Sequence, residues 1–324
     1  MDPLEHIKRP VIDELSLLRS EFESSLQHSN PLLDSGLKFV SSRTGKMMRP
    51  ILTLLAAKLF GEVNKSTICA GCCFEFFHTA SLLHDDVVDE SNERRGQSSV
   101  NGAYTNKIAI LVGDYILSLA LSSASKSGYS KLIDILSITA QNLADGELLQ
   151  LDYTHQTSLS EDIYFRIIKK KTASLFAACS EAGAYTCGAS IDDVNRLRSF
   201  GEIVGICFQI KDDIFDYFDD ESIGKPTGND MREGKLTLPV IYALRSTNNT
   251  EMLDIANAVR KGEATDSNIN RLVSFAKENN GIKYAEEVMN KYAIKAKELL
   301  DIYPESDIKQ SLLSYVHYVV SRTI

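Results

Sequence analysis

The chain has 324 residues, 44% of them apolar and 24% charged, and its 35 basic against 44 acidic residues leave a net charge of −9. That balance excludes a disordered chain, and an acidic chain without a basic block is a poor binder of nucleic acid. An anionic substrate would have to be held by a local group of cations or by metal ions.

The opening residues, Met-Asp-Pro-Leu-Glu-His, lack the basic start and apolar stretch of a signal peptide. The two most apolar stretches, 51–60 and 108–121, are shorter than a bilayer requires, and each carries a charge, Lys58 or Asp114. The expectation is a cytoplasmic protein with no membrane span. Only seven prolines occur, and none falls in the 175 residues between Pro50 and Pro226. Because proline breaks helix interiors, so long a run rich in Ala, Leu, Ile, Ser and Lys predicts helix after helix. Strand-and-turn rhythm is missing.

In chain order, the pattern predicts an amphipathic helix over 11–29. A second spans 48–59, with Pro50 in the first turn where its missing N–H matters least. A third, over 67–89, is apolar on nearly all sides and therefore central. Further helices are expected over 106–126, 129–152, 160–187, 191–218, 237–246, 249–260, 266–278, 282–302 and 305–322. Polar, glycine-containing loops fall at 91–103, 153–159 and 219–236. No linker or repeat divides the chain, so 1–324 reads as one all-helical domain. Cys69 and Cys72 form a C-x-x-C, but no second ligand pair is suitably spaced, and in an apolar helix free cysteine behaves as a small hydrophobe.

Two pentapeptides stand out, Asp85-Asp86-Val87-Val88-Asp89 and Asp212-Asp213-Ile214-Phe215-Asp216, each D-D-x-x-D. With 23 aspartates in the chain, about 0.1 such motifs would arise by chance. On a helix, i and i+4 lie about 40° apart around the axis, so the first and last aspartates share a face. Three like charges near a helix C-terminus oppose one another and the helix dipole, so something cationic should offset them. Carboxylates without histidine suit a hard ion: Mg²⁺ takes oxygen, keeps water and shares itself with substrate phosphates. Two such clusters brought together would grip a diphosphate and neutralise it as a leaving group.

Cations accompany both motifs: Lys46 and Arg49 in G-K-M-M-R-P, Arg94 and Arg95 after the first motif, Lys171 in mid-chain, and Lys225 and Lys235 after the second. Singly each reads as a solvated charge; together they describe pockets for two diphosphates. Gln209, one turn before Asp213, adds a neutral contact. His78, on the helix of the first motif, would alone read as a satisfied core histidine.

The stretches G-K-M-M-R-P, E-F-F-H-T-A-S-L-L-H-D-D-V-V-D-E-S-N-E-R-R-G, L-V-G-D-Y, K-K-K-T-A, F-Q-I-K-D-D-I-F-D and G-K-P-T-G-N-D…G-K-L-T-L-P run in order from about residue 43 to 240. In them the chain resembles the trans-isoprenyl diphosphate synthase (polyprenyl synthetase) family. The resemblance implies an all-α fold, a single large helical bundle with a central cavity (the isoprenoid synthase type I fold), usually a homodimer. It implies condensation of isopentenyl diphosphate head-to-tail with an allylic diphosphate. By motif match, Asp85, Asp86, Asp89, Asp212, Asp213 and Asp216 would bind Mg²⁺, with three ions expected per active site. Arg94, Lys171, Lys225 and Lys235 would hold the allylic diphosphate, and Lys46, Arg49, His78 and Arg95 the isopentenyl diphosphate. Thr172 and Gln209 match residues facing the developing carbocation. Gln150 stands where short-chain relatives often carry an acid and is not assigned to metal.

The growing tail should run down the helix that carries Asp85. Ala80 and Ser81, one turn below, are small, which predicts a product beyond C20, about C30–C40. Phe77 could narrow the tunnel or simply fill the core. Three alternatives remain open: a short-chain synthase, a terpene cyclase, which usually lacks the second aspartate motif, and a non-catalytic partner subunit, which tends to lose aspartates.

Overall fold

A computed structural model describes residues 3–43, 45–94, 96–154, 159–218 and 227–323, the side chains of Pro3 and Arg94 excepted. The described residues are all-α apart from one short antiparallel pair. In chain order the helices are α1 (Pro3–Lys8), α2 (Ile12–Ser25), α3 (Pro31–Ser41), α4 (Met48–Lys58), α5 (Lys65–Val88), α6 (Val100–Ala103), α7 (Asn106–Lys126), α8 (Ser130–Thr154) and α9 (Glu161–Ile168). A π-helical turn, Lys169–Ala173, joins α9 to α10 (Ser174–Thr186). Then follow α11 (Ile191–Phe215), α12 (Asn229–Arg232), α13 (Leu238–Thr247), α14 (Thr250–Arg260), α15 (Asp266–Glu278), α16 (Gly281–Glu298) and α17 (Asp307–Ser321). Strands β1 (Glu93–Arg94) and β2 (Gln97–Ser98) pair within the span expected to be a loop.

The chain forms two compact units. The first comprises Met1–Thr139, Leu175–Gly201 and Leu299–Tyr315. Its centre is α5, which starts with a capping box: Asn64 accepts from the N–H groups of Ser66 and Thr67, and Thr67 answers the Asn64 N–H. From Ala70 to Phe77 the helix is buried on all faces, as a run that is apolar except for Glu75 predicts. Phe76 stacks on Phe22 of α2 at 4.5 Å, and α4 adds Ile51, Leu52, Leu54 and Leu55. Each such side chain contributes about 2 kcal/mol.

Helix α7 packs along α5 with Ala109, Val112, Gly113, Ile116, Ala120 and Ala124 inward. The apolar stretch 108–121, expected to be too short to span a bilayer, lies on a 21-residue helix that contains an 18-residue window of mean hydropathy 1.7. By length and composition alone that helix is sufficient to cross a membrane, because the small residues 122–125 carry the run past Leu121.

The second unit comprises Ala140–Ser174, Glu202–Glu298 and Val316–Ile324. Its core is built by α9, α11, α13, α15 and α16, with Tyr242 stacked on Tyr284 at 4.0 Å and the Tyr284 hydroxyl donating to Glu161 at 2.8 Å. All six cysteines are free; Cys72, Cys73, Cys179 and Cys207 are buried, and burial pushes the Cys179 and Cys207 thiols up to about 12. Near neutral pH these two thiols are therefore protonated.

Candidate active site

The first aspartate motif closes α5. Asp85 is half-buried, Asp86 is 5% exposed, and Asp89 caps the helix in solvent. The end is a Schellman turn: the Glu90 N–H bonds the Val87 carbonyl, and the Ser91 N–H bonds the Asp86 carbonyl at 2.9 Å. Glu90 takes the left-handed conformation there (φ 50°), which glycine adopts far more readily. Asn101 fastens the turn, donating from Nδ2 to the carbonyls of Asp86 and Ser91. Gly113 of α7 lets the two helices meet at this level, since a Cβ there would stand 2.4 Å from His84 Nε2.

In the same unit, Arg49 of α4 reaches His78 of α5, Nη1 to Nε2 at 2.9 Å, and its guanidinium lies 4.8 Å from the Phe176 ring centroid. The expected companions Arg49 and His78 are thus brought together. Lys46 lies at the surface, separated from α4 by Met47, another non-glycine residue in the left-handed region (φ 55°). Such backbone costs about 1 kcal/mol or more and is most often retained at functional sites. Phe77, Ala80 and Ser81 are buried along α5, and the Ser81 hydroxyl donates to the His78 carbonyl. Arg95, Lys225 and the side chain of Arg94 lie outside the described residues.

The second motif closes α11, and here side chains do the tying. Asp213 is 3% exposed; the Tyr164 hydroxyl donates to its Oδ2 at 2.6 Å and Gln209 Nε2 to its Oδ1 at 2.8 Å. Gln209 in turn accepts from the Thr172 hydroxyl at 2.6 Å. Burial pushes the Asp213 carboxyl up to about 7, the two hydrogen bonds oppose the rise, and the charges of Asp212 and Asp216 add to it. Asp216 caps α12 from outside, accepting the N–H of Asn229 at 2.9 Å and of Asp230 at 3.1 Å. Asp230 is itself held well above the ordinary carboxylate range by burial, then by Asp216 and Asp213. Asp212 accepts from Arg322 Nη2 at 2.5 Å.

Lys171 sits in the π-helical turn, a feature that re-aims side chains within an otherwise regular helix. Its ammonium is held by Glu147 at 2.7 Å and Gln150 at 3.1 Å. Gly146 of α8 permits the approach, for a Cβ there would meet Lys170 at 2.8 Å and Lys171 at 2.9 Å. Lys235 pairs with Glu233 at 2.6 Å. Sequence reasoning missed Tyr164, Glu147, Asn101, Asp230 and Arg322, because each acts through a tertiary contact that no local spacing reveals. Tyr164 alone had a local clue, lying seven residues before Lys171 on the predicted helix.

The donors fit Mg²⁺. Every candidate ligand is a carboxylate oxygen, the donor a hard cation takes. Among the described residues no three His, Cys, Asp or Glu side chains are grouped closely enough to hold an ion. Each motif therefore offers one or two carboxylates, and water with substrate phosphate would complete a shell, as Mg²⁺ prefers.

Residues 30–276 match the polyprenyl synthetase family model. The chain is 32% identical to the octaprenyl diphosphate synthase of Haemophilus influenzae, covering 98% of this chain and 97% of that one. Among solved structures it resembles a geranylgeranyl pyrophosphate synthase from Bacteroides thetaiotaomicron, with TM-score 0.89, 44% identity and coverage of 99% and 100%. It also resembles a polyprenyl synthase from Caulobacter crescentus complexed with calcium and isoprenyl diphosphate, with TM-score 0.92, 32% identity and coverage of 99% and 98%. Fold, site and likenesses define an all-α prenyl-transferring enzyme. The chain belongs to the polyprenyl synthetase family.

Proposed function

We propose that this protein condenses isopentenyl diphosphate head-to-tail with an allylic diphosphate in a Mg²⁺-dependent reaction, extending the product to about C30–C40. The observation that carries the reading is the pair of aspartate motifs, each at the end of a long helix, the second with Arg322 on Asp212. The calcium and isoprenyl diphosphate named for the Caulobacter structure support it.

Asp85, Asp86 and Asp89 with Asp212, Asp213 and Asp216 would hold Mg²⁺, three ions per site when substrate is bound. In the second motif all three carboxylates already accept hydrogen bonds, the half-exposed Asp212 from Arg322, Asp213 from Tyr164 and Gln209, and Asp216 from two backbone N–H groups, so a cation would have to share or displace these contacts. When bound, the ions supply charge neutralisation to the departing diphosphate. Lys171, Arg94, Lys225 and Lys235 hold that diphosphate, and the anchoring of Lys171 by Glu147 and Gln150 sets its ammonium in place before substrate arrives. Lys46, Arg49, His78 and Arg95 hold isopentenyl diphosphate, so its double bond is placed rather than found by diffusion. Thr172 and Gln209, bonded to each other, present oxygen dipoles toward positive charge on the allyl group. No protein nucleophile is needed, and the lost proton goes to the released diphosphate.

Chain length rests on α5. Ala80 and Ser81 are small and leave room for a long tail, and the long-chain product of the Haemophilus relative agrees. A second reading, a C20 product, is favoured by the 44% identity to a geranylgeranyl pyrophosphate synthase. Incubation with Mg²⁺, farnesyl diphosphate and labelled isopentenyl diphosphate, followed by chromatographic sizing of the dephosphorylated prenols, decides between them. A ladder ending at one long prenol is expected, and Ala80→Phe should stop it near C20. A wild-type product of C20 overturns the length, an unchanged length in the variant overturns the tunnel, and no incorporation points to a partner-dependent subunit.

The protein acts as a homodimer through the outer face of α7. Ile110, Leu111 and Leu121 are 42%, 65% and 51% exposed, and only a third of the helix's apolar window is buried within the chain. Apolar area on that scale marks an interaction surface. Sedimentation should give a dimer for the native chain and a monomer for Leu111→Glu/Leu121→Glu; a native monomer refutes the interface.

A further inference from the structure

Asp212 lies in the last turn of α11, where the helix dipole disfavours a negative charge, and the cation that answers it comes from 110 residues along the chain. Arg322, just after α17, donates from Nη2 both to Asp212 Oδ1 at 2.5 Å and to the Phe208 carbonyl at 3.1 Å. Its guanidinium carbon lies 4.0 Å from the Phe208 ring centroid and 5.3 Å from that of Phe215. The arginine side chain is 13% exposed against 40% for the aspartate, so the cation is seated deeper than its anion. The seat is also incomplete, since Arg322 Nε is buried without a hydrogen-bond partner. A buried orphan donor is a cost that proteins seldom retain without a use for it.

We propose that Arg322 is the resident counter-cation of Asp212: a positioning residue that holds this carboxylate ready for a divalent cation and gives it up when the cation binds. The inference rests on the metal-binding reading of the second motif. The physical argument is competition. A divalent cation and a guanidinium held on one carboxylate repel each other at contact distance. The cation therefore enters by breaking one N–H···O bond, while the two aromatic rings retain the guanidinium against α11. Arg322 keeps Asp212 oriented in the ion-free protein and weakens ion binding there. Occupancy then depends on a substrate diphosphate arriving with the metal.

The test uses Mn²⁺ in place of Mg²⁺, with free Mn²⁺ followed by electron paramagnetic resonance as the whole chain is titrated without substrate. Arg322→Gln should bind the Asp212-dependent ion about three- to fivefold more tightly. Arg322→Lys, which keeps the charge but not the planar seat between the rings, should bind it about twofold more tightly. In an Asp212→Asn background, Arg322→Gln should change nothing. Equal or weaker Mn²⁺ binding by Arg322→Gln overturns the proposal, because a merely structural arginine leaves a looser site when removed. Should the glutamine variant fail to fold, the lysine variant decides instead, and equal or weaker binding there overturns the proposal in the same way. Wild-type binding that survives Asp212→Asn unaltered overturns the metal reading of Asp212 itself, and the counter-cation with it.

Discussion

The two D-D-x-x-D motifs have the same pentapeptide pattern and the same position at the end of a long helix, yet the structure that surrounds each is different. At Asp85–Asp89 the backbone forms a Schellman turn, with Glu90 left-handed and Asn101 clasping the carbonyls of Asp86 and Ser91. At Asp212–Asp216 the carboxylates are themselves tied, Asp212 to Arg322, Asp213 to Tyr164 and Gln209, and Asp216 to two N–H groups of α12. Identical sequence motifs can thus carry different loads. In the second motif the aspartates also build the fold.

The largest effect that could break this contrast comes from exchanging the acids. Asp85→Asn and Asp216→Asn should each lower kcat by about 10³-fold, the scale of removing a preorganised electrostatic contact. Asp216→Asn should also lower the unfolding temperature, because α12 loses a capping acceptor worth about 1 kcal/mol. An unfolding temperature equal to wild type removes that capping role. A smaller change is expected for Tyr164→Phe, which takes one donor from a buried carboxylate and should cut kcat about tenfold while leaving KM for isopentenyl diphosphate unchanged. A KM effect alone would place Tyr164 elsewhere in the mechanism.

The smallest effect concerns pH. The Asp213 carboxyl stands at about 7 in the fold against 3.8 ordinarily, so the folded state binds a proton more tightly than the unfolded one. Stability from this group is full below about pH 4 and is lost as pH rises through 7. Asp213→Asn should therefore flatten the fall in unfolding temperature between about pH 4 and 7, measured by calorimetry without metal. A slope as steep as wild type would assign the fall to other groups.

The helices bearing both motifs were legible because their apolar patterns are long, although the capping signal of Asn64, which starts α5 ahead of the expected residue 67, went unread. The demand for a cation beside each acidic helix end was legible as well, and at the second motif Arg322 supplies it. Its identity was not, for nothing near Asp212 in sequence points to residue 322. Helix α3 went unread although Asn30 and Pro31 form an orthodox start, because Gly36 breaks its apolar stripe. The span 91–103 holds a hairpin and a four-residue helix, both too short to show a period. Arg49 and His78, by contrast, were paired from motif alone and do meet.

The pattern predicts one helix over 160–187, where the chain makes α9, a π-helical turn and α10. The turn amounts to one surplus residue between two helices of different character, α9 with Tyr164, Ile167 and Ile168 inward and α10 buried on nearly all sides. Lys171 belongs to neither helix. Its direction is encoded as a frameshift of the backbone, which side-chain substitution cannot easily erase and a single-residue deletion would.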